Sequence, residues 1–256
     1  MAALLQFLRP DWPALPGVRA LSTTRAGGSS AAPFTSLNLG AHVGDAPTAV
    51  KANREQLRIA ALLPAEPTWL TQVHGVAVAD LDTNNDDGIV ADAAIASLPG
   101  RVCVVMTADC LPVTLAAADG SAVAAIHAGW RGLAAGVVEA GVQALRARAS
   151  RDVSVQAWLG PAIGLANFEV GEEVRAAFLR QDLQAAQAFT PNASGRWQCD
   201  LYGLARQRLR AQGITAISGG NFCTYADARR FYSHRRDVQH EGRASTGRMA
   251  TLIWRM

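Results

Sequence analysis

Val102-Cys-Val-Val-Met-Thr-Ala-Asp-Cys-Leu-Pro-Val-Thr-Leu-Ala-Ala117, followed shortly by Val123-Ala-Ala-Ile-His127, is the stretch that decides the fold. It holds three short apolar runs, 102–106, 113–117 and 123–126, each bounded by Asp, Gly or Pro. Short Val-rich runs between such breakers predict buried strands. Downstream, residues 132–148 place Leu133, Val137, Val138, Val142 and Leu145 on one side of a predicted helix. A strand over 153–159 follows, ended by Gly160-Pro161. Amphipathic helices are predicted at 171–180 and 201–212, the second stopped by Gly213, and a last strand at 249–254. Upstream, 18–24 reads as a strand. Pro47 opens a helix with Val50, Leu57, Ala60 and Leu63 in register. Residues 68–73 and 76–81 read as two strands joined at His74-Gly75. The expectation is an α/β (α+β) fold, a central mixed sheet flanked by helices. No repeat or linker divides the chain, so one domain is expected over 1–256.

The chain has 256 residues, half of them apolar and 18% charged, enough for a sizeable core and unlike a disordered chain. No apolar run approaches the roughly 20 residues that cross a bilayer. The opening MAALLQFLRP is broken by Pro10 and Asp11 and lacks a cleavage pattern, so a soluble cytoplasmic protein is expected. The net charge of +3 rests on a basic set in which Lys51 is the sole Lys. Its arginines are scattered beside acids and form no basic face with aromatics, which argues against nucleic acid as a partner. Cys103, Cys110, Cys199 and Cys223 form no CxxC pair, so disulfides are not expected.

Three residues sit where strands should end: His74, Cys110 and His127. Loops at strand ends are where scaffolds place active groups. Two imidazoles and a thiolate suit zinc, with a fourth position open for water. The same residues read otherwise as hydrogen-bonded histidines and an inert thiol. They also read as a Cys110 nucleophile with a His base and Asp109 beside it; a turn-capping role fits Asp109 equally well. Arg25, Arg131, Arg235 and Arg248 lie beside Gly-rich turns or helix starts, where guanidinium and backbone N–H groups can hold phosphate. The turn at Gly27 lacks the Gly-Lys-Ser/Thr ending of a P-loop, and neither GxGxxG nor GxSxG occurs.

Several segments together carry a resemblance. Ser36-Leu-Asn-Leu-Gly40, Trp69-Leu-Thr-Gln-Val-His-Gly75, Thr107-Ala-Asp-Cys-Leu-Pro112 and His127-Ala-Gly-Trp-Arg-Gly132 are similar to those of the YfiH-type family. Leu159-Gly-Pro-Ala-Ile-Gly164, Phe168-Glu-Val-Gly171 and Cys223-Thr224 continue it in order. The family has been labelled multicopper polyphenol oxidoreductase (laccase), and also zinc-dependent purine nucleoside phosphorylase with adenosine deaminase activity. A part in editing peptidoglycan precursors is attached to bacterial members. The resemblance implies metal ligands at His74, Cys110 and His127. It also implies a pocket for nucleoside and phosphate that involves Arg25, Asn38 and Arg131. The chain departs from the family at Phe231-Tyr-Ser-His-Arg-Arg-Asp237, where His234 stands for a tyrosine, and at the extra segment 238–245. A changed pocket rim is the expectation there, with His234 and His240 as surface histidines or extra ligands.

The laccase label meets a physical objection. Multicopper oxidases feed their trinuclear cluster largely through His-x-His pairs. The five histidines here, His42, His74, His127, His234 and His240, include no such pair. Copper would still suit the His/Cys/His set, since it binds such ligands more tightly than zinc. Zinc-dependent phosphorolysis and deamination of purine nucleosides is thus the leading expectation. A cysteine-dependent hydrolase or amidase and a copper-dependent polyphenol oxidase are the alternatives.

Overall fold

Side chains alternate in direction along a strand, and the first apolar run shows where each half goes. Val102, Val104 and Met106 join one cluster with Leu21, Leu252 and Trp254. Cys103 and Val105 join another with Ala94, Ala125 and Ile253. Both faces are covered, as an unbroken apolar run requires. The computed structural model describes residues 5–256; the first four residues of the expected domain and of its apolar opening lie outside them.

Two large sheets face each other. One is antiparallel, in the order β1 (Phe7–Leu8), β2 (Val18–Thr23), β13 (Met249–Arg255), β5 (Val102–Thr107). The other is mixed, in the order β12 (Ala216–Gly219), β8 (Val155–Leu159), β6 (Leu111–Ala117), β7 (Val123–Ala128), β4 (Ala93–Ala96), β3 (Val78–Asp80). Its two edge pairs, β12 with β8 and β3 with β4, are parallel and the inner pairs antiparallel. Ala20, Ala94, Ala96, Ala116 and Ala125 lie between the sheets, so small side chains fill much of that layer. Outside the first sheet, α1 (Pro47–Ala60) contributes Leu57. Outside the second, α2 (Trp130–Ala135), α3 (Val137–Arg148) and α5 (Leu201–Ala211) bury Leu133, Val138, Val142 and Leu204. Further along that side stand α4 (Glu172–Leu179) and a small sheet of β10 (Phe189–Pro191), β11 (Trp197–Cys199) and β9 (Glu169–Val170).

The α/β class and the mixed sheet match the sequence reading, with four differences. Residues 68–73 form no strand; they make two single bridges, Thr68 with Cys103 of β5 and Thr71 with Val90 in the loop before β4. The helix expected at 132–148 is two helices, because Gly136 takes φ +102°, a left-handed conformation that ends α2 and caps α3. On α1, Ala60 is exposed and Asn53 is buried instead. The Asn53 amide binds Ser29, Ser30 and Asn38, fastening the N-terminal loop to the helix. Lastly, the central strands divide between two sheets. The chain leaves the first at Thr107 and enters the second at Leu111, and Ala108-Asp109-Cys110 is the link.

Candidate active site

That link puts Cys110 at one end of the paired sheets. His127 is the fifth residue of β7 and shares the face of Val123 and Ala125, toward the opposite sheet. His74 sits in the loop before β3 with φ +60°, left-handed backbone that is uncommon outside glycine. One ligand atom from each of His74, Cys110 and His127 lies within 4.8 Å of the others. The two imidazoles stand edge to face with centroids 4.8 Å apart. Gly129 lets them converge: a Cβ there would fall 2.5 Å from His74 Nδ1 and 3.1 Å from Cys110 Sγ.

Asp92 stands behind the histidines and is fully buried. Its Oδ1 accepts from the His74 backbone N–H at 2.9 Å and meets His127 Nδ1 at 2.8 Å. Its Oδ2 accepts the N–H groups of Gly75 at 2.7 Å and Val73 at 3.2 Å. Burial opposes charge on His127, but the Cys110 sulfur and Asp92 outweigh it and lift its pKa to about 9. His74 is pushed the other way, by burial first and then by His127.

The three residues open into a cleft of about 610 Å³. Its walls also carry His42, Gln72, Trp130, Arg131, Phe168, His234, Arg235, Gln239 and Arg248. Among the described residues Asp109 is the only acid lining it, and that carboxylate is fully engaged. Asp109 accepts from Thr224 Oγ1 at 2.6 Å, Ser233 Oγ at 3.0 Å and the Arg235 N–H at 2.6 Å. It anchors the segment carrying Arg235 and holds Cys110 at the sheet crossing, with φ +92°. Burial and Arg248 hold His42 and His234 below the usual imidazole range, so both are neutral at pH 7. The cleft is therefore a positive, partly aromatic pocket suited to an anion and a flat ring.

Of the expected substrate residues, Arg131 and Arg235 line this cleft and Arg25 and Asn38 do not. Arg25 donates to the carbonyls of Thr35 and Ala228 and lies over the Tyr232 ring. Asn38 is buried; its Oδ1 accepts the backbone N–H groups of Gly40 and Arg248 and thereby seats Arg248. Arg236 is a buried pin, paired with Asp237 at 2.9 Å and donating to the carbonyls of Thr224, Tyr225 and Phe231. His240 bonds Tyr225 and stays outside the His/Cys/His cluster. Of the segment 238–245, Gln239 lines the cleft. Sequence reasoning missed Asp92, Trp130, Phe168 and Gln72. A lone acid inside the apolar run 89–96 was the signal available for Asp92.

The chain is similar to known proteins over nearly its whole length. The family described as multi-copper polyphenol oxidoreductase laccase matches residues 19–256. A Pseudomonas aeruginosa protein named purine nucleoside phosphorylase is 51% identical, covering 97% of this chain and 98% of its own. The Escherichia coli purine nucleoside phosphorylase YfiH is 49% identical, covering 96% and 97%. A crystal structure of a Neisseria meningitidis protein superposes with a TM-score of 0.88 at 43% identity, covering 97% and 98%.

Proposed function

The chain belongs to the multi-copper polyphenol oxidoreductase laccase family, also called YfiH-type, and from that premise we propose that it is a metal-dependent purine nucleoside phosphorylase. The observation that carries this reading is the His74–Cys110–His127 cluster on the wall of a cleft that also bears Arg131, Arg235 and Arg248. Two imidazoles and a thiolate within 4.8 Å fit zinc, and they suit copper too. A zinc ion held there would supply a Lewis acid facing the substrate.

In phosphorolysis an oxygen of hydrogen phosphate bonds to ribose C1′ while the C1′–N9 bond breaks, and the purine leaves with the proton that the phosphate gives up. The three arginines would hold the phosphate bidentately and spread its charge. Trp130 and Phe168 offer flat faces for the base. His42 and His234, neutral at pH 7, can donate a hydrogen bond to the departing purine. Deamination of adenosine to inosine in the same cleft is part of the proposal. A cytoplasmic setting is part of the proposal, supported by four cysteines that are all free, as in a reducing compartment. Among the described residues no helix is long and apolar enough to cross a membrane. The laccase description would need further copper ligands, and among the described residues one three-residue cluster is found.

The test is incubation of zinc-replete protein with adenosine, with and without phosphate, and separation of the products. Adenine with ribose 1-phosphate, formed only when phosphate is present, is expected; inosine without phosphate reports deamination. No conversion in either arm overturns the proposal.

A further inference from the structure

We propose that Asp92 is the positioning residue of the centre, setting its metal affinity by holding both histidines with one carboxylate. The inference rests on the metal reading above. Four donors converge on this buried group, and they come from both histidine-bearing segments. The imidazole Nδ1 of His127 and the backbone N–H of His74 meet Oδ1, and the N–H groups of Val73 and Gly75 meet Oδ2. The backbone adds a fifth link, since the His127 N–H donates to the Asp92 carbonyl at 2.7 Å.

Each contact has a consequence for the cluster. A hydrogen bond from His127 Nδ1–H to the carboxylate fixes the tautomer, so that Nε2 carries the lone pair a metal needs. The three backbone bonds fold the 73–75 segment around the carboxylate and hold His74 at φ +60°, a conformation it would otherwise leave. One side chain therefore controls the tautomer of one ligand and the backbone of the other.

Asp92→Asn tests this because it keeps the shape and breaks the symmetry of acceptors. If the amide oxygen takes the Oδ1 position, the NH2 group faces the N–H groups of Val73 and Gly75, donor against donor. If the amide is flipped, NH2 faces His127 Nδ1, which must then become the acceptor. The His127 proton moves to Nε2, where the metal should bind. The first arrangement loses two of the four bonds; the second loses the His74 bond and reverses the His127 one.

The experiment is a chelator-competition titration of zinc into metal-free wild-type and Asp92→Asn protein, with cobalt(II) absorption as a second readout. Zinc affinity is expected to fall about 10- to 100-fold, with changed cobalt d–d bands and an unchanged circular dichroism spectrum. Equal affinity and identical cobalt spectra in a folded variant overturn the proposal. A check that does not depend on the variant folding is the imidazole 15N spectrum of zinc-loaded wild type. Protonated Nδ1 with metallated Nε2 at His127 is expected, and the reverse overturns it. Wild type that takes up no zinc removes the metal reading and this inference together. Zinc uptake without nucleoside cleavage removes only the phosphorylase reading.

Discussion

Cys110→Ala separates a metal ligand from a nucleophile, and the structure sets the size of the effect. Cys110 is half-buried on the cleft wall, and its sulfur lies within 4.8 Å of a ligand atom on each histidine. Sites with four protein ligands bind zinc with about 10–16 kcal/mol, so one ligand carries about 3 kcal/mol, or about two orders of magnitude in affinity. Alanine at 110 should therefore strip zinc at micromolar concentration while both histidines stay tied to Asp92. Cys103 is the control. It is fully buried between the sheets, and desolvation pushes its thiol far above the usual range. Its Ala variant removes one packed atom, costing about 1 kcal/mol and about 2–4 °C in Tm for a chain of this size, and keeps zinc. The assay is metal content by mass spectrometry together with adenosine turnover for both variants. A Cys110→Ala protein that is zinc-replete yet inactive would refute the ligand assignment and favour the nucleophile.

Gly129 has φ −65° and ψ 156°, which alanine adopts freely, so Gly129→Ala should fold normally. Its Cβ would press on His74 Nδ1, and zinc affinity in the chelator titration should drop about tenfold, because His74 is misoriented and not removed. Arg131 is exposed at the cleft and stacks on Trp130. Arg131→Ala should therefore leave the melting temperature alone and raise KM for phosphate about 10- to 100-fold, the equivalent of one charge-assisted bond. Burial would raise the Asp237 pKa, yet its bonds to Thr246 and Ser233 and its pairing with Arg236 win and hold it below 3.8. The stability it contributes is complete above pH 3.8 and is lost as pH falls through the lower folded value. Asp237→Asn should flatten that acid limb in urea titrations. It should also cost about 3–5 kcal/mol at pH 7, because Arg236 is left buried and unpaired.

The parts of the site legible in the sequence are those with local signatures. Cys110 and His127 could be picked because they follow apolar runs that do become strand ends. His74 was picked for the same reason, but the preceding strand does not form. It reaches the site because Asp92, 18 residues away, gathers the 73–75 backbone N–H groups. Asp92 itself carried no signature beyond an acid in an apolar run, because its four partners come from two segments that only the fold brings together. The arginines divide on the same principle. Arg25 and Arg236 look as suitable for phosphate as Arg131 and Arg235. Whether a guanidinium faces the cleft or pins carbonyls 11 or 203 residues distant is decided by tertiary packing.

Backbone strain at the site follows from these same contacts. Among the described residues, four non-glycine positions have positive φ, and two of them are His74 and Asp109. Each costs on the order of 1–3 kcal/mol and persists only where surrounding groups over-determine it. Asp92 does so for His74 through backbone hydrogen bonds, and Thr224, Ser233 and the Arg235 N–H do so for Asp109. The two strained residues bear or adjoin two of the three cluster side chains, and Asp109 lies where the chain changes sheets. A straight continuation of β5 into β6 would relieve Asp109 and move the Cys110 sulfur along the strand, away from the histidines. The strain is therefore the local cost of bringing three donors from three separate segments to one point at the end of a close-packed sheet pair.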